Sequence, residues 1–272
     1  MSSPTPLWRI LPLLLTTVLA QGASIDIVNP GFEDVSGESP YNEFTFGPLT
    51  GWELYDSGDP TPITSGGDGP TYFIGTLRPE IDPIGNPGVY EFFSDGAPEG
   101  ERVGIAFNFF GSGGGGEYGL RQTLSATLQA HTSYTLQVLV GNIASGTAFD
   151  GTPYDLSGFP GYRIDLMAGS EVLDFDDDTI SGGIPEGEFA LRTVTFTTGA
   201  THDLLGENLA IRLVNLNTID LAHEESDLEV DFDNVSLTAE TVPEPGSLTL
   251  LAAAGVALMA TSSRQCAIRR RG

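Results

Sequence analysis

The sequence predicts an all-β protein in which two antiparallel sheets pack face to face as a β-sandwich. Short segments of alternating apolar and polar residues recur along the chain, which is the periodicity of half-buried strands. Turn-forming residues separate the segments, and 35 glycines and 18 prolines among 272 residues argue against long helices. About ten such segments favour two packed sheets over a single sheet.

The predicted strands differ in how clearly they alternate. In residues 133–142, one face carries Tyr134, Leu136, Val138 and Val140. The other clear strands are 190–198, 208–216 and 229–239. Weaker candidates are 24–28, 50–55, 89–93, 102–108, 118–124 and 162–168. Long loops are predicted in the turn-rich stretches 56–86, 111–117 and 144–161.

The charge of the chain excludes a nucleic-acid partner. The chain has 37 acidic residues against 11 basic ones, all of them arginine, and its formal net charge is −26. A field this negative repels phosphate. The single cysteine, Cys266, lies near the C-terminus, so residues 23–241 have no thiol for a disulfide, a nucleophile or a thiolate metal site.

Both ends of the chain predict export. Residues 1–22 contain an apolar run after Arg9 and end in small residues, as a secretory signal peptide does. Residues 247–263 are uncharged and are followed by the arginine-rich end 264–272, which predicts a transmembrane helix with a cytoplasmic terminus. The alternatives are a buried helix or a membrane anchor at the N-terminus and a buried core helix at the C-terminus. The predicted units are a signal peptide (1–22), a β-sandwich domain (23–241) and a sorting tail (242–272).

The tail resembles a known sorting signal. Val242-Pro243-Glu244-Pro245, a short apolar helix and a basic terminus follow one another as in the PEP-CTERM tail of bacterial surface proteins. The resemblance implies that an exosortase-type membrane protease recognises Pro243, Glu244 and Pro245. It also implies that the C-terminal helix anchors the protein transiently in the inner membrane, before release to the cell surface or the extracellular matrix.

The body of the chain carries a second resemblance. Residues 27–33 (IVNPGFE), 119–142 and 230–237 (VDFDNVSL) are similar to strands of galactose-binding-like jelly rolls, the fold of many carbohydrate-binding modules. The resemblance implies a structural calcium ion with Glu33, Asp231 and Asp233 as ligands, and oxygen ligands suit Ca²⁺. Asn234 stands where that group commonly has a second acid. The alternative is that these acids are ordinary surface residues at strand ends.

A further acidic run does not form an EF-hand. Asp174-Phe175-Asp176-Asp177-Asp178 has acids at loop positions 1, 3 and 5, but Thr179 replaces the required glycine and Pro185 the final glutamate. The run is therefore predicted to be a solvated hairpin loop.

The sequence predicts binding rather than catalysis. Its three histidines are isolated, and it has no Gly-x-Ser-x-Gly motif. We therefore expect a non-enzymatic exported protein that binds extracellular polysaccharide, with a secreted glycan hydrolase using two carboxylates as the alternative. Trp52 enters a strand and is predicted to anchor the core. Aromatic residues in or beside the long loops are the candidates for stacking on sugars: Tyr72, Phe73, Phe109, Phe110, Tyr154 and Phe159.

Overall fold

The computed structural model describes residues 22–46, 49–58, 72–82, 85–109, 116–178 and 183–243. These residues form fifteen β-strands and no α-helix. The strands are β1 (Ala23–Ile25), β2 (Ser39–Tyr41), β3 (Phe44–Phe46), β4 (Glu53–Asp56), β5 (Tyr72–Leu77), β6 (Val103–Asn108), β7 (Tyr118–Thr127), β8 (Thr132–Asn142), β9 (Gly146–Thr147), β10 (Pro153–Tyr154), β11 (Tyr162–Ala168), β12 (Glu171–Asp178), β13 (Glu188–Thr197), β14 (Asn208–Asn215) and β15 (Leu228–Thr241).

The strands form two antiparallel sheets and one separate hairpin. The larger sheet has the order β13-β8-β15-β6-β5-β3-β2, and β1 also pairs with β15. The smaller sheet has the order β12-β11-β14-β7-β4. β9 and β10 pair with each other as a two-stranded sheet. The long strand β15 therefore lies in the middle of the larger sheet, between β6 and β8.

One hydrophobic core contains residues from both sheets. Val140 and Phe232 contribute to it from the larger sheet, and Leu120 and Ile211 from the smaller one. All four are fully buried, and burying a side chain of this size stabilises a fold by roughly 1.5–3 kcal/mol. The strict alternation of β8 follows from this packing, because every second residue faces the core.

The opposite face of the larger sheet carries a second, smaller core. Ile105 and Phe107 of β6 point to this face and are buried, whereas Ala106 between them packs in the first core. Phe92, Phe93 and other apolar residues from the loops that precede β6 and follow β8 cover them. The larger sheet is thus apolar on both faces, and its outer face is sheltered by loops.

The structure confirms the all-β prediction of antiparallel sheets and the place of Trp52 in the core. The Trp52 side chain is buried, stacks on Phe32 with ring centroids 5.3 Å apart, and donates a hydrogen bond to Asn29 O. The clear strands 133–142, 190–198, 208–216 and 229–239 correspond to β8, β13, β14 and β15. Apolar alternation was a sufficient signal for these four strands.

Three local predictions were wrong. Residues 89–93 form no strand, since Tyr90 makes only an isolated bridge to Glu80 and Phe92 has a φ of 71°. The acidic run 174–178 belongs to the edge strand β12, which pairs with β11. Many side chains of β12 are exposed, so its sequence lacks the apolar alternation that predicts a strand. The predicted loops 56–86 and 144–161 contain β5, β9 and β10.

The predicted signal peptide and C-terminal helix cannot be compared with the fold. Residues 1–21 and 244–272 lie outside the described ranges. Within those ranges, no helix has the length and apolar character needed to cross a membrane.

Candidate functional site

An aromatic cavity of about 460 Å³ lies on the outer face of the larger sheet. Strands β3, β5 and β6 supply its phenylalanines because their alternate residues point to this face. Thr152, Tyr154 and Leu156, from the hairpin of β9 and β10 and the segment after it, close one side. The complete lining is Tyr41, Phe44, Phe46, Phe73, Phe107, Phe109, Thr152, Tyr154, Leu156 and Glu229.

The rings of the cavity pack against one another. Phe73 stacks on Phe107 at 4.8 Å between centroids, and its ring meets that of Phe46 edge-on at 4.4 Å. Phe109 contacts Phe107 edge-on at 4.7 Å and is partly exposed at 45%. Such a surface binds flat apolar molecules, and the negative faces of its rings stabilise a positive charge.

Glu229 is the one acidic residue in this lining, and it is paired with Asp231. The two residues occupy alternate positions of β15, so both side chains point to the outer face of the sheet, and both are buried. Burial raises the pKa of each carboxyl group, and the charge of Glu229 raises that of Asp231 further. Among the described residues, none of the four carboxyl oxygens has a hydrogen-bond partner within ordinary distance. Both effects favour the protonated form of the pair.

The surroundings of the pair explain why it stays protonated. Glu229 lies opposite Phe107 on β6, and Asp231 lies between Ile105 and Gly141 on the neighbouring strands. Among the described residues, neither carboxyl group forms an ion pair that would favour the charged form. A carboxylic acid held in an apolar wall is a proton donor, so the cavity combines a general acid with a cation-stabilising surface.

A second acidic group lies farther along the same strand. Asp233 accepts hydrogen bonds from the backbone N–H groups of Glu99 at 2.8 Å and Asn234 at 2.7 Å. Burial, together with the charges of Glu99 and Glu33, raises the pKa of Asp233 to about 7. Glu33 accepts the backbone N–H groups of Glu101 and Arg102, both at 2.8 Å. Glu33, Glu99 and Asp233 therefore come from distant parts of the chain and lie in the same region, beside the start of β6, close enough for the two glutamates to affect the pKa of Asp233.

Comparison with known proteins identifies the family. Residues 23–238 match the model of HpiC1-like proteins, described as HpiC1 cyclase. The chain belongs to the HpiC1-like cyclase family. Its members are enzymes, and the matched region contains the cavity and both acidic groups. No curated protein matches the chain.

Three solved cyclase structures are similar to this chain. The Stig cyclase Fisc from Fischerella sp. TAU, in complex with (3Z)-3-(1-methyl-2-pyrrolidinylidene)-3H-indole, is 35% identical with a TM-score of 0.62, over 82% of this chain and 100% of that one. A cyclase from Fischerella sp. TAU in complex with 4-(1H-indol-3-yl)butan-2-one is 35% identical with a TM-score of 0.61, over 81% and 99%. An apo-form cyclase from Fischerella sp. is 36% identical with a TM-score of 0.62, over 82% and 98%.

Membership of the HpiC1-like family corrects several predictions. The assignment to PEP-CTERM surface proteins with a carbohydrate-binding-like domain was wrong, because the family model that covers residues 23–238 is that of a cyclase. The non-enzymatic function in polysaccharide binding, with its glycan-hydrolase alternative, was wrong for the same reason. The predicted route through a transient membrane anchor to the cell surface depended on the same resemblance and was therefore also wrong. An exosortase and a polysaccharide as partners stay predictions.

The structure places the predicted site residues in different surroundings. Of the six aromatic candidates, Phe73, Phe109 and Tyr154 line the cavity. Phe159 instead packs in the core between the sheets, while Tyr72 begins β5 and Phe110 is outside the described ranges. Of the sorting-signal residues, Pro243 is exposed after β15, and Glu244 and Pro245 lie beyond the described part.

The predicted calcium ligands also separate into two groups. Asp233 lies near Glu33, whereas Asp231 pairs with Glu229. Within the described ranges, no three acidic, histidine or cysteine side chains converge closely enough to form a complete metal cluster. Glu229 was missed as a site residue. Its signal was the alternation Glu229, Asp231, Asp233, which places three acids on one face of a strand whose other face is apolar.

Proposed function

We propose that this protein is a cyclase that closes a ring in an apolar, indole-containing substrate, with the Glu229–Asp231 pair as its proton donor. The observation that carries the proposal is the buried carboxyl group of Glu229 in the wall of an otherwise largely aromatic cavity, beside Asp231, with the pKa values of both groups raised by burial. The indole compounds bound by two related cyclases support the substrate class.

The proposed reaction begins with a proton transfer. The carboxyl group of Glu229 gives its proton to one carbon of a substrate double bond, which leaves a positive charge on the adjacent carbon. A second π-bond, in the side chain or the indole, then attacks that carbon and closes the ring. A proton lost from the resulting cation returns to the Glu229 carboxylate. No atom is gained or lost, so the product is an isomer of the substrate.

The other residues of the site stabilise the positive charge of the cation and exclude water from it. The faces of Phe73, Phe107 and neighbouring rings stabilise the cation by roughly 0.5–2 kcal/mol for each favourable contact. The apolar walls exclude the water that would otherwise capture the cation. Asp231 donates a hydrogen bond to Glu229 after the proton has left, which stabilises the carboxylate until the proton returns.

Turnover of a panel of indoles with unsaturated side chains tests this function. We expect the wild-type protein to form products of unchanged mass and different retention, identified as ring-closed by NMR. Glu229→Gln abolishes turnover because an amide cannot supply the proton, whereas Glu240→Gln, an exposed change on the same strand, has no effect. Full turnover by Glu229→Gln would contradict the proposed acid, and binding without ring closure would contradict the proposed reaction.

We also propose that the group around Asp233 holds a structural calcium ion. The predicted ligands Glu33 and Asp233 do lie near each other, and Glu99 joins them where the sequence had suggested Asp231. Gly31 lies beside both groups, since an added Cβ there would collide with Glu99 Oε2 and come within 3.7 Å of Asp233 Oδ1. Carboxylate oxygens from separate segments fit a hard divalent cation. When bound, the ion would tie the segment after β1 to the loop before β6 and to β15.

The finer architecture is part of the same proposal. We infer that the two sheets form a β-sandwich of jelly-roll type, with β6, β7, β14 and β15 at the contact between them. The mixed composition of the first core supports this arrangement. In it, the cavity lies on an outer face of the sandwich rather than between the sheets.

A further inference from the structure

One side of the cavity is closed by a hairpin that belongs to neither large sheet. β9 and β10 form a sheet of their own, with Gly146 paired to Tyr154 and Thr147 to Pro153. An isolated two-stranded hairpin is marginally stable at best in water. Its position over the cavity must therefore depend on contacts with other parts of the chain.

The turn between β2 and β3 supplies one such contact, and the backbone N–H of Thr147 makes another by donating to the Glu91 carboxylate at 3.1 Å. The two-residue loop between β2 and β3 has a φ of 56° at Asn42, as a tight hairpin turn requires at its first position, and Glu43 follows. Both oxygens of the Glu43 carboxylate accept the backbone N–H of Phe149, at 3.2 and 3.3 Å. Phe149 lies in the tip of the β9–β10 hairpin, so this bond joins the tips of two hairpins.

The neighbours of Glu43 make parallel contacts. The hydroxyl of Tyr41 lies near that of Tyr154, and both rings line the cavity. The side chain of Asn42 lies near the carboxylate of Asp150, in the hairpin tip, and lowers its pKa. Consecutive residues of one turn thus reach consecutive parts of the other hairpin.

Glu43 is one of the buried acids of the described chain, together with Asp165, Glu229, Asp231 and Asp233. Only 7% of its surface is exposed, and burial raises the pKa of its carboxyl group. A buried carboxylate is costly unless it accepts hydrogen bonds, and a bond from an amide to a charged acceptor is stronger than one between neutral groups. The Phe149 contact therefore favours the position of the hairpin beside the cavity.

We propose that Glu43 is a positioning residue that fixes the β9–β10 hairpin over the cavity and so determines how tightly an apolar aromatic ligand is held. The identity of the natural ligand rests on the function proposed above. The hairpin contact does not, because it joins two parts of this chain.

Three measurements on Glu43→Ala and Glu43→Gln test the proposal. Hydrogen exchange reports on the amide of Phe149, Nile red reports occupancy of the cavity by a neutral aromatic dye, and turnover of the indole panel gives KM and kcat. For Glu43→Ala we expect exchange at Phe149 and the Kd for Nile red to rise about tenfold, with KM raised more than kcat is lowered. Glu43→Gln keeps one acceptor oxygen, so its effects are intermediate.

Glu80→Ala is the matched control. The Glu80 carboxylate also accepts a backbone N–H, that of Gly88 at 2.6 Å, but neither residue belongs to the β9–β10 hairpin or lines the cavity. We expect it to leave dye binding and exchange at Phe149 unchanged. The graded Glu43→Gln variant keeps the test decisive if Glu43→Ala folds poorly.

Two results would overturn the positioning role. One is exchange at Phe149 that is the same in Glu43→Ala as in the wild type. The other is faster exchange with an unchanged Kd for Nile red, since the hairpin would then be loosened without consequence for the cavity. If the dye depends on Glu43 but no indole is cyclised, the positioning role holds and the proposed function fails.

Discussion

Glu229 and Asp231 hold protons that an exposed carboxyl group loses near pH 4. A raised pKa in the folded state means that folding takes up protons as the pH rises above the unfolded value. The contribution of each group to stability is therefore complete at low pH and is lost as the pH rises toward the folded pKa. Between the unfolded and the folded pKa, the free energy of unfolding falls by about 1.4 kcal/mol per pH unit for each proton that the folded state retains.

This linkage predicts how substitution of the pair changes the pH dependence of folding. From pH 5 to pH 8 we expect the free energy of unfolding of the wild type to fall, and that of Glu229→Gln/Asp231→Asn to fall less steeply. Urea unfolding at several pH values measures both slopes. Asp233 contributes a fall of the same sign in both proteins, because its pKa is also raised, to about 7. Equal slopes in the two proteins would show that the pair is ionised when folded.

The same raised pKa values predict the pH profile of turnover. A general acid works only in its protonated form, so kcat should be constant at low pH and decline as the pH rises through the pKa of the pair. Asp231→Asn removes the coupling between the two groups and should shift the midpoint of the decline. Rates over a pH series, at saturating substrate, measure it. A kcat that rises with pH would instead identify a base as the critical group.

At the scale of the strands, close contact between β3 and β5 shapes the cavity wall. Gly75 of β5 lies against the backbone of Thr45 on β3, and an added Cβ would collide with the Thr45 carbonyl oxygen. Phe44 and Phe46, on either side of Thr45, line the cavity. The position of β3 therefore determines where two of the aromatic rings lie.

Gly75→Ala should consequently displace β3 and damage ligand binding as well as stability. We expect a loss of about 1–3 kcal/mol in the free energy of unfolding, the usual cost of overpacking, and weaker binding of 4-(1H-indol-3-yl)butan-2-one. Chemical denaturation and calorimetric titration measure the two effects. Gly199→Ala is the control, since Gly199 is exposed and its nearest heavy atom lies 4.0 Å from an added Cβ. Unchanged affinity in Gly75→Ala would mean that β3 does not shape the site.

The strands also show what the sequence could predict and why. β8 and β15 lie in the middle of a sheet, and the alternation of their side chains reflects burial of one face. β3 and β5 bury residues on both faces, so their apolar and polar residues do not alternate. β9 and β10 are only two residues long, which is too short for an alternation to be recognised. The site escaped prediction for the same reason. It is assembled from short strands that meet only through the pairing of β3, β5, β6 and β15.

At the scale of the whole molecule, the dominant feature is negative charge. Residues 23–241 contain 36 acids and six arginines, a net charge of −30. Three of those arginines are committed to local charge pairing. Arg163 and Arg212 bind the buried Asp165, with Arg163 also contacting Glu117, and Arg78 binds Glu80 and Glu101. Near Asp233, Arg102 interacts with Glu33, but its charge is shared with Glu38 and Glu101, so it offsets the acids around Asp233 only in part.

A calcium ion at Glu33, Glu99 and Asp233 would offset this repulsion specifically. Binding only to the folded state adds about 2.7 kcal/mol when free calcium is a hundred times Kd. At roughly 2–4 °C per kcal/mol, chelation should lower Tm by about 5–10 °C. The effect should be larger at pH 8 than at pH 6, because Asp233, with a pKa raised to about 7, must lose its proton to bind the ion. Asp233→Asn should abolish the response and Asp231→Asn should retain it.

General screening of the acids predicts instead that sodium chloride restores the chelated protein as well as calcium does, with no dependence on Asp233. Thermal melts with calcium, chelator and salt at matched ionic strength distinguish the two, and recovery by salt alone would eliminate the site.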